Sequence, residues 1–141
     1  MIFWFTGQRG VGKTTLASKL KEFLQTEKRN WRKDVFLIDK PHHSQLGEAT
    51  IISSFLWENN CDVVVSITDN SKEERDEFKA FLKGDVVEIY VHSSRKKVKE
   101  LPQIEGYEPP TENYFEIDTT SDNPTQSFSK LINYLKSIEK I

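Results

Sequence analysis

A glycine-rich motif near the N-terminus constrains the fold of this chain more than any other feature. It reads Gly7-Gln8-Arg9-Gly10-Val11-Gly12-Lys13-Thr14 and fits the pattern GxxxxGK[ST]. The apolar run Ile2-Phe3-Trp4-Phe5 before it is typical of a buried strand, and apolar residues recur after it at helical spacing. The motif therefore predicts a strand, a loop whose N–H groups converge on phosphate oxygens, and a helix whose positive end faces them.

Each part of this loop has a predicted task in holding a nucleoside triphosphate. The glycines let the backbone turn, Lys13 reaches the β- and γ-phosphates, and the Thr14 hydroxyl is a ligand for Mg²⁺. ATP and Mg²⁺ are the expected co-substrate and cofactor. The predicted nucleotide-binding residues are Gly7, Gln8, Arg9, Gly10, Val11, Gly12, Lys13, Thr14 and Thr15.

Strand and helix patterns alternate along the rest of the chain. Four more strands are predicted at Val35–Ile38, Val63–Ile67, Val86–Val91 and Tyr114–Ile117. A Ser71 capping box and Pro124 begin two of the helices between and after them. This order predicts a three-layer α/β P-loop NTPase fold with a mainly parallel sheet of about five strands and helices on both faces. Ligands are expected at the carboxyl ends of the strands.

Two carboxylates follow predicted strands at that edge. Asp39 ends the second strand, where it could orient Mg²⁺ or accept a proton from an attacking hydroxyl, and it is the predicted catalytic residue together with Lys13. Asp69 follows the third strand and could hold the metal through water. For each aspartate the alternative is a turn residue, which for Asp69 leads into the Ser71 cap.

Basic side chains near the same edge are candidates for binding the substrate or for forming a lid. Arg75 could clamp an anionic substrate, or it could be a surface residue exchanging charge with Glu73, Glu74 and Asp76. The irregular stretch 93–113 is a predicted lid-like segment, called the lid segment below. Its basic residues could close over the transferring phosphoryl group, or they could form a solvated face. These residues are Arg95, Lys96, Lys97 and Lys99.

The histidines His42 and His43 follow Pro41 in a predicted loop. No cysteine or carboxylate stands at a spacing that would complete a zinc site with them. They are therefore predicted to lie in a polar loop beside the substrate cleft, and they are candidates for contacting the substrate.

Composition bounds the remaining possibilities. The chain has 141 residues, a net charge of −2 and one cysteine, which predicts a single domain, 1–141, in a reducing compartment, with the cytoplasm as the default. The charge balance argues against a nucleic-acid binder, and no apolar stretch approaches a membrane span. Small-molecule substrates are the expected partners, with a homodimer as a further expectation.

Three segments resemble the adenylylsulfate kinase family. They are Ile2 to Leu16, Val35 to Asp39 with Leu46-Gly47-Glu48, and Tyr107-Glu108-Pro109-Pro110 through Ile117-Asp118-Thr119. The resemblance implies transfer of the ATP γ-phosphate to the ribose 3′-hydroxyl of adenylyl sulfate. It also implies that Lys13 and Thr14 hold phosphate and magnesium and that Asp39 is the base, while Arg75-Asp76 resembles an Arg-Asp pair of the family.

The chain departs from the family where the acceptor would bind. Lys40-Pro41-His42-His43-Ser44 stands where the family has Gly-Asp and then an arginine that grips adenylyl sulfate, and the lid is shortened. Two alternatives therefore stay open. One is a kinase for another hydroxyl, such as a nucleoside, a nucleotide or a modified nucleic-acid base. The other is a nucleotide-binding module without catalysis.

Overall fold

Parallel strands alternate with helices in the part of the chain that the structure describes. The structure is a computed structural model, and it describes residues 1–26, 33–40, 46–67 and 71–141. The elements in chain order are β1 (Ile2–Thr6), α1 (Lys13–Thr26), β2 (Val35–Lys40), α2 (Leu46–Glu58), β3 (Asp62–Ile67), α3 (Lys72–Phe81), β4 (Val86–His92), α4 (Lys96–Lys99), β5 (Tyr114–Asp118) and α5 (Pro124–Ser137).

The strands form one parallel sheet in the order β2-β3-β1-β4-β5. Phe5 of the central strand pairs with Ser66 on one side and with Ile89 on the other. Asp39 pairs with Ser66, and His92 with Asp118. All five carboxyl ends therefore meet at one edge, which brings together the loop after β1, Asp39, the lid segment and the segment after β5. The predicted α/β class is confirmed.

Apolar layers cover both faces of this sheet. Phe3 and Phe5 are buried in the layer that contains α1 and α5, whereas Ile2 and Trp4 face the layer that contains α3. A strand covered on both faces needs apolar side chains at every position. This explains why β1 is an unbroken apolar run.

The sequence from Leu46 to Trp57 has apolar residues at helical spacing, which predicts a helix there. Helix α2 forms in this segment, but its large apolar residues do not all face the sheet. Ala49 and Ser53 are buried, while Ile51 is 72% exposed and Phe55 is 64% exposed. Ala49, Ser53 and the partly buried Leu56 recur at i, i+4 and i+7, which is one face of a helix. This face of mostly small residues therefore packs against β3.

Local capping signals fix the starts of α3 and α5. The Ser71 hydroxyl accepts a hydrogen bond from the Glu74 amide at 3.3 Å. Asn123 and Gln126 form a reciprocal capping box with two bonds of 2.9 Å, and Pro124 follows the cap. Within the lid segment the chain makes the short helix α4, which the sequence did not predict. None of the described helices is long and apolar enough to cross a membrane.

Candidate functional site

The glycine-rich loop approaches neighbouring backbone closely. Gly10 and Gly12 have φ angles of 75° and 105°, in the left-handed region that favours glycine. A Cβ added at Gly7 would lie 2.2 Å from the carbonyl oxygen of Val91 on β4. Side chains at these positions would distort the loop, so the geometry explains why glycines stand there, and their part in binding phosphate stays a prediction.

The ammonium group of Lys13 lies inside this loop. Lys13 is 7% exposed, and its Nζ donates hydrogen bonds to the carbonyl oxygens of Gly7 at 2.5 Å and Gln8 at 2.6 Å. A buried cation is stable only where acceptors compensate for lost water. The loop backbone therefore holds the positive charge at the position where phosphate oxygens are expected.

Thr14 and Asp39 meet across the edge of the sheet. The Thr14 hydroxyl donates to Asp39 Oδ1 at 3.4 Å, although 25 residues separate the two in sequence. A hydroxyl and a carboxylate are hard oxygen donors of the kind that Mg²⁺ takes, usually together with substrate phosphates and water. The described residues contain no group of three or more His, Cys, Asp or Glu side chains placed for a metal. With two hard oxygen donors, the Thr14–Asp39 pair fits a magnesium ion whose remaining ligands are phosphates and water.

A cavity of about 400 Å³ opens beside the loop. Its wall after β5 is fixed to the loop, because the Thr119 hydroxyl donates to the Val11 carbonyl at 2.8 Å and Arg95 Nη2 donates to the Thr119 carbonyl at 2.6 Å. This volume suits a small organic ligand. The lining residues are Val11, Gly12, Thr15, Leu16, Arg95, Thr119, Thr120, Ser121, Asp122, Asn123, Pro124 and Ser127.

The turn at the base of this wall carries a perturbed carboxylate. Asp118 Oδ1 accepts hydrogen bonds from the hydroxyl of Thr120 at 2.5 Å and from its amide at 2.9 Å. These two bonds favour the ionised form and lower the pKa of Asp118. The ionised carboxylate therefore orients Thr120 at the cavity.

The lid segment is attached to the phosphate loop from the other side. The Gln8 side chain donates to the Ile104 carbonyl at 3.3 Å and accepts from the Ile104 amide at 2.8 Å. The Tyr107 hydroxyl bonds the Thr6 hydroxyl at 2.8 Å. The loop and the lid segment therefore form one structural unit, which the sequence analysis missed because no local pattern records these contacts.

Arg75 lies beneath the lid segment. It is 2% exposed, and its Nε donates to Glu88 Oε2 at 2.9 Å. Its guanidinium also donates to the Glu108 carbonyl and lies 5.5 Å from the centre of the Tyr107 ring. The alternative of a surface residue exchanging charge with its helix neighbours is therefore wrong. Burial against β4 makes this arginine part of the support of the lid segment, and the anion clamp stays a prediction.

The other basic candidates are exposed. Lys96, Lys97 and Lys99 lie on α4, where Lys96 is 3.9 Å from Glu100, and Arg95 precedes them at the cavity. Their closure over a phosphoryl group stays a prediction. The candidates His42, His43 and Asp69 lie outside the described residues.

The cavity wall after β5 was not predicted from the sequence. Thr119, Thr120 and Ser127 were not among the predicted site residues, yet all three line the cavity. A signal was present, because the polar run 119–123 connects a strand end to a helix begun by Pro124. By topology, such a connection lies at the ligand-binding edge.

Solved structures with the same fold show the class of protein in which such a site occurs. No protein-family model matches the chain. Among solved structures, a protein named APE1195 matches with a TM-score of 0.78 at 23% identity, covering 98% of this chain and 96% of that one. A gluconokinase from Sinorhizobium meliloti matches with a TM-score of 0.65 at 14% identity, covering 96% and 91%. The fold is the α/β P-loop NTPase fold that P-loop kinases share.

Curated relatives make the resemblance more specific. An adenylyl-sulfate kinase from Staphylococcus haemolyticus is 25% identical and covers 100% of this chain and 86% of its own length. One from Picosynechococcus is 27% identical, with 96% and 93% covered. These relatives support a P-loop kinase, and they confirm that the chain resembles the adenylyl-sulfate kinases over nearly its whole length.

The chain is shorter than the aligned part of these relatives. The alignment to the Staphylococcus haemolyticus enzyme spans 172 positions, whereas this chain has 141 residues. At least 31 aligned positions therefore fall opposite gaps in this chain.

Proposed function

We propose that this chain is an ATP-dependent phosphotransferase, a single P-loop kinase domain over 1–141 with the lid segment at 93–113. It transfers the ATP γ-phosphate to a hydroxyl acceptor, foremost the 3′-hydroxyl of adenylyl sulfate. The observation that carries the proposal is the Thr14–Asp39 contact of 3.4 Å at the start of the helix after the Lys13 loop. It puts a hydroxyl and a carboxylate where a loop-bound triphosphate would end.

The residues of the site have distinct tasks in this reaction. The loop amides and Lys13 bind the phosphates, and the cavity lined by Arg95 and Thr119 takes the nucleoside part. When bound, Mg²⁺ would neutralise charge on the phosphates, and Thr14 and Asp39 would hold it. The acceptor oxygen bonds to the γ-phosphorus while the bond from this phosphorus to the bridging oxygen of ADP breaks. The hydroxyl proton goes to the Asp39 carboxylate.

The acceptor is the finer part of this proposal. The relatives named adenylyl-sulfate kinase support adenylyl sulfate as the acceptor. With this acceptor, the protein would act in sulfate assimilation in the cytoplasm. The departure at 40–44 keeps a kinase for a nucleoside, a nucleotide or a modified nucleic-acid base as the second candidate. A non-catalytic nucleotide-binding module is the third. Partners are small molecules, and a homodimer remains part of the proposal.

Replacement of Asp39 by asparagine tests the proposed base. Asp39→Asn keeps the size of the side chain but removes the proton acceptor, so turnover with ATP and adenylyl sulfate should fall about 10²- to 10⁴-fold. ATP affinity, measured by calorimetry without magnesium, should change by less than about threefold.

Asp34→Asn is the matched control, because Asp34 is exposed and precedes the same strand at the opposite edge of the sheet. This variant should keep full turnover. An Asp39→Asn enzyme with full turnover would show that Asp39 is not the base.

A further inference from the structure

Two backbone carbonyl groups of the phosphate loop hold the Lys13 ammonium. They belong to Gly7 and Gln8, and they are called the Lys13 cradle below. Because Lys13 is buried in this position, the direction of its Nζ follows the direction of the two carbonyl groups. Contacts that fix the backbone of residues 6–8 therefore also fix the ammonium group that would meet the β- and γ-phosphates.

Tyr107 of the lid segment contacts the residue that directly precedes this cradle. The hydroxyl groups of Thr6 and Tyr107 share a hydrogen bond of 2.8 Å, although 101 residues separate them in sequence. Thr6 is fully buried, and a buried hydroxyl needs a partner because it has lost its hydrogen bonds to water. The bond to Tyr107 therefore fixes the backbone at the start of the cradle.

The cradle is restrained on two further sides. The Gln8 side chain bonds both the amide and the carbonyl group of Ile104. The Gly7 backbone lies directly against β4, where a Cβ would come within 2.2 Å of the Val91 carbonyl oxygen. Residues 6–8 are therefore enclosed between β4 and the lid segment.

Tyr107 has support of its own, apart from its bond to Thr6. Its ring lies 5.5 Å from the guanidinium carbon of Arg75, which is buried and paired with Glu88 at 2.9 Å. Arg75 also donates to the carbonyl group of Glu108, the next residue of the lid segment. The ring should therefore keep its place when only its hydroxyl is removed.

We propose that Tyr107 is a positioning residue for Lys13, an assignment that rests on the proposed ATP site. Through its bond to Thr6, the Tyr107 hydroxyl holds the Lys13 cradle in the orientation that directs the ammonium group to the β- and γ-phosphates. Without this bond residues 6–8 are less ordered, and nucleotide binding has to order them at a cost in affinity. A contact that only attached the lid segment would have no such dependence on Lys13.

A double-mutant cycle with Lys13→Ala separates these two roles. Calorimetry on the full chain measures the affinity for ADP in the wild type, both single variants and the double variant. Tyr107→Phe should bind ADP about 2- to 12-fold more weakly than the wild type, the loss expected for one hydrogen bond. In the Lys13→Ala background the same change should alter the affinity by less than about 1.5-fold, because the ammonium group that it orients is absent.

Variants of Thr6 test the partner of the Tyr107 hydroxyl. Thr6→Ser keeps a hydroxyl group and should bind ADP as the wild type does. Thr6→Val has nearly the same shape without the hydroxyl, so its affinity should fall as far as that of Tyr107→Phe. Combining Thr6→Val with Tyr107→Phe should cause no further loss, because both changes remove the same bond.

Tyr134→Phe is the matched control. It also removes one tyrosine hydroxyl, but Tyr134 lies on α5, where its ring stacks on Phe115 with 4.1 Å between the ring centres. This variant should leave the ADP affinity unchanged.

Three results would overturn the proposal. They are an unchanged ADP affinity in Tyr107→Phe, a loss of the same size in the Lys13→Ala background, or wild-type affinity in Thr6→Val. A wild-type protein that does not bind ADP would refute the proposed ATP site itself, and the assignment of Tyr107 with it. Wild-type binding of ADP with unchanged affinity in Tyr107→Phe would refute the role of Tyr107 alone.

Discussion

Glu88 is a buried carboxylate between two cations. It is 2% exposed, and besides Arg75 it accepts a hydrogen bond from Lys79 Nζ at 2.6 Å. Lys79 also donates to the carbonyl oxygens of Glu112 and Asn113 at the end of the lid segment. One carboxylate on β4 therefore orients two side chains of α3 that both hold the lid segment.

Glu88→Gln should lower the free energy of unfolding by about 3–5 kcal/mol, because it leaves the Arg75 and Lys79 charges without their buried carboxylate. Denaturant unfolding measures this loss. Glu77→Gln on the exposed face of α3 is the control and should change stability by less than about 0.5 kcal/mol. A Glu88→Gln loss as small as the control would mean that the buried pair behaves like a surface ion pair.

The lid segment and the phosphate loop are joined through the Gln8 side chain. Both its amide nitrogen and its carbonyl oxygen bond the backbone of Ile104, 96 residues away. Leu101 lies against the same loop, since a Cβ added at Gly10 would come within 2.3 Å of its side chain. Movement of one element should therefore be coupled to movement of the other.

Gln8→Ala should release the central part of the lid segment. Without its acceptor, the Ile104 amide should exchange with deuterium about fivefold faster or more, as expected for the loss of about 1 kcal/mol of protection. Gln103→Ala is the control, because among the described residues the Gln103 side chain donates to the carbonyl oxygens of Val98 and Leu101, both within the segment. Equal exchange at Ile104 in the wild type and in Gln8→Ala would show that Gln8 does not hold the segment.

Some elements could be predicted from sequence because their causes are local. The unbroken apolar run of β1, the Ser71 cap and Pro124 each act within a few residues, and the glycine motif specifies its own loop. Asp39 was predicted at the right edge because parallel strands end together. These signals place the phosphate loop and the carboxylate beside it.

Other features depend on contacts between distant residues. Arg75 with Glu108, Gln8 with Ile104, and Thr119 with Val11 are 33, 96 and 108 residues apart. Neither hydrophobic periodicity nor a capping motif indicates such pairs, so the burial of Arg75 and the contact of Thr119 with Val11 could not be predicted from the sequence. The exposure of the large apolar residues of α2 also depends on contacts between distant residues. The helix packs against β3 with the face that carries small side chains, so the large apolar residues on its other faces stay exposed.

Across the whole molecule, the parts of the proposed kinase site lie at one edge of the sheet. The loop, Asp39, the attached lid segment and the cavity all lie beyond the carboxyl ends of the parallel strands. The alignment to the Staphylococcus haemolyticus relative is nevertheless longer than this chain, and the sequence predicts departures in the acceptor region and the lid. Nucleotide binding and acceptor choice are therefore separable questions.

Transfer of label from γ-labelled ATP answers both questions directly. Wild-type protein should move the label to adenylyl sulfate and not to free nucleosides, and Lys13→Ala should abolish transfer because it removes the cation that holds the β- and γ-phosphates. If the label moved instead to a nucleoside, a nucleotide or a nucleic-acid base, the protein would still be a kinase, but its acceptor would not be adenylyl sulfate. A protein that binds ATP but moves label to none of these acceptors would contradict phosphoryl transfer as its function.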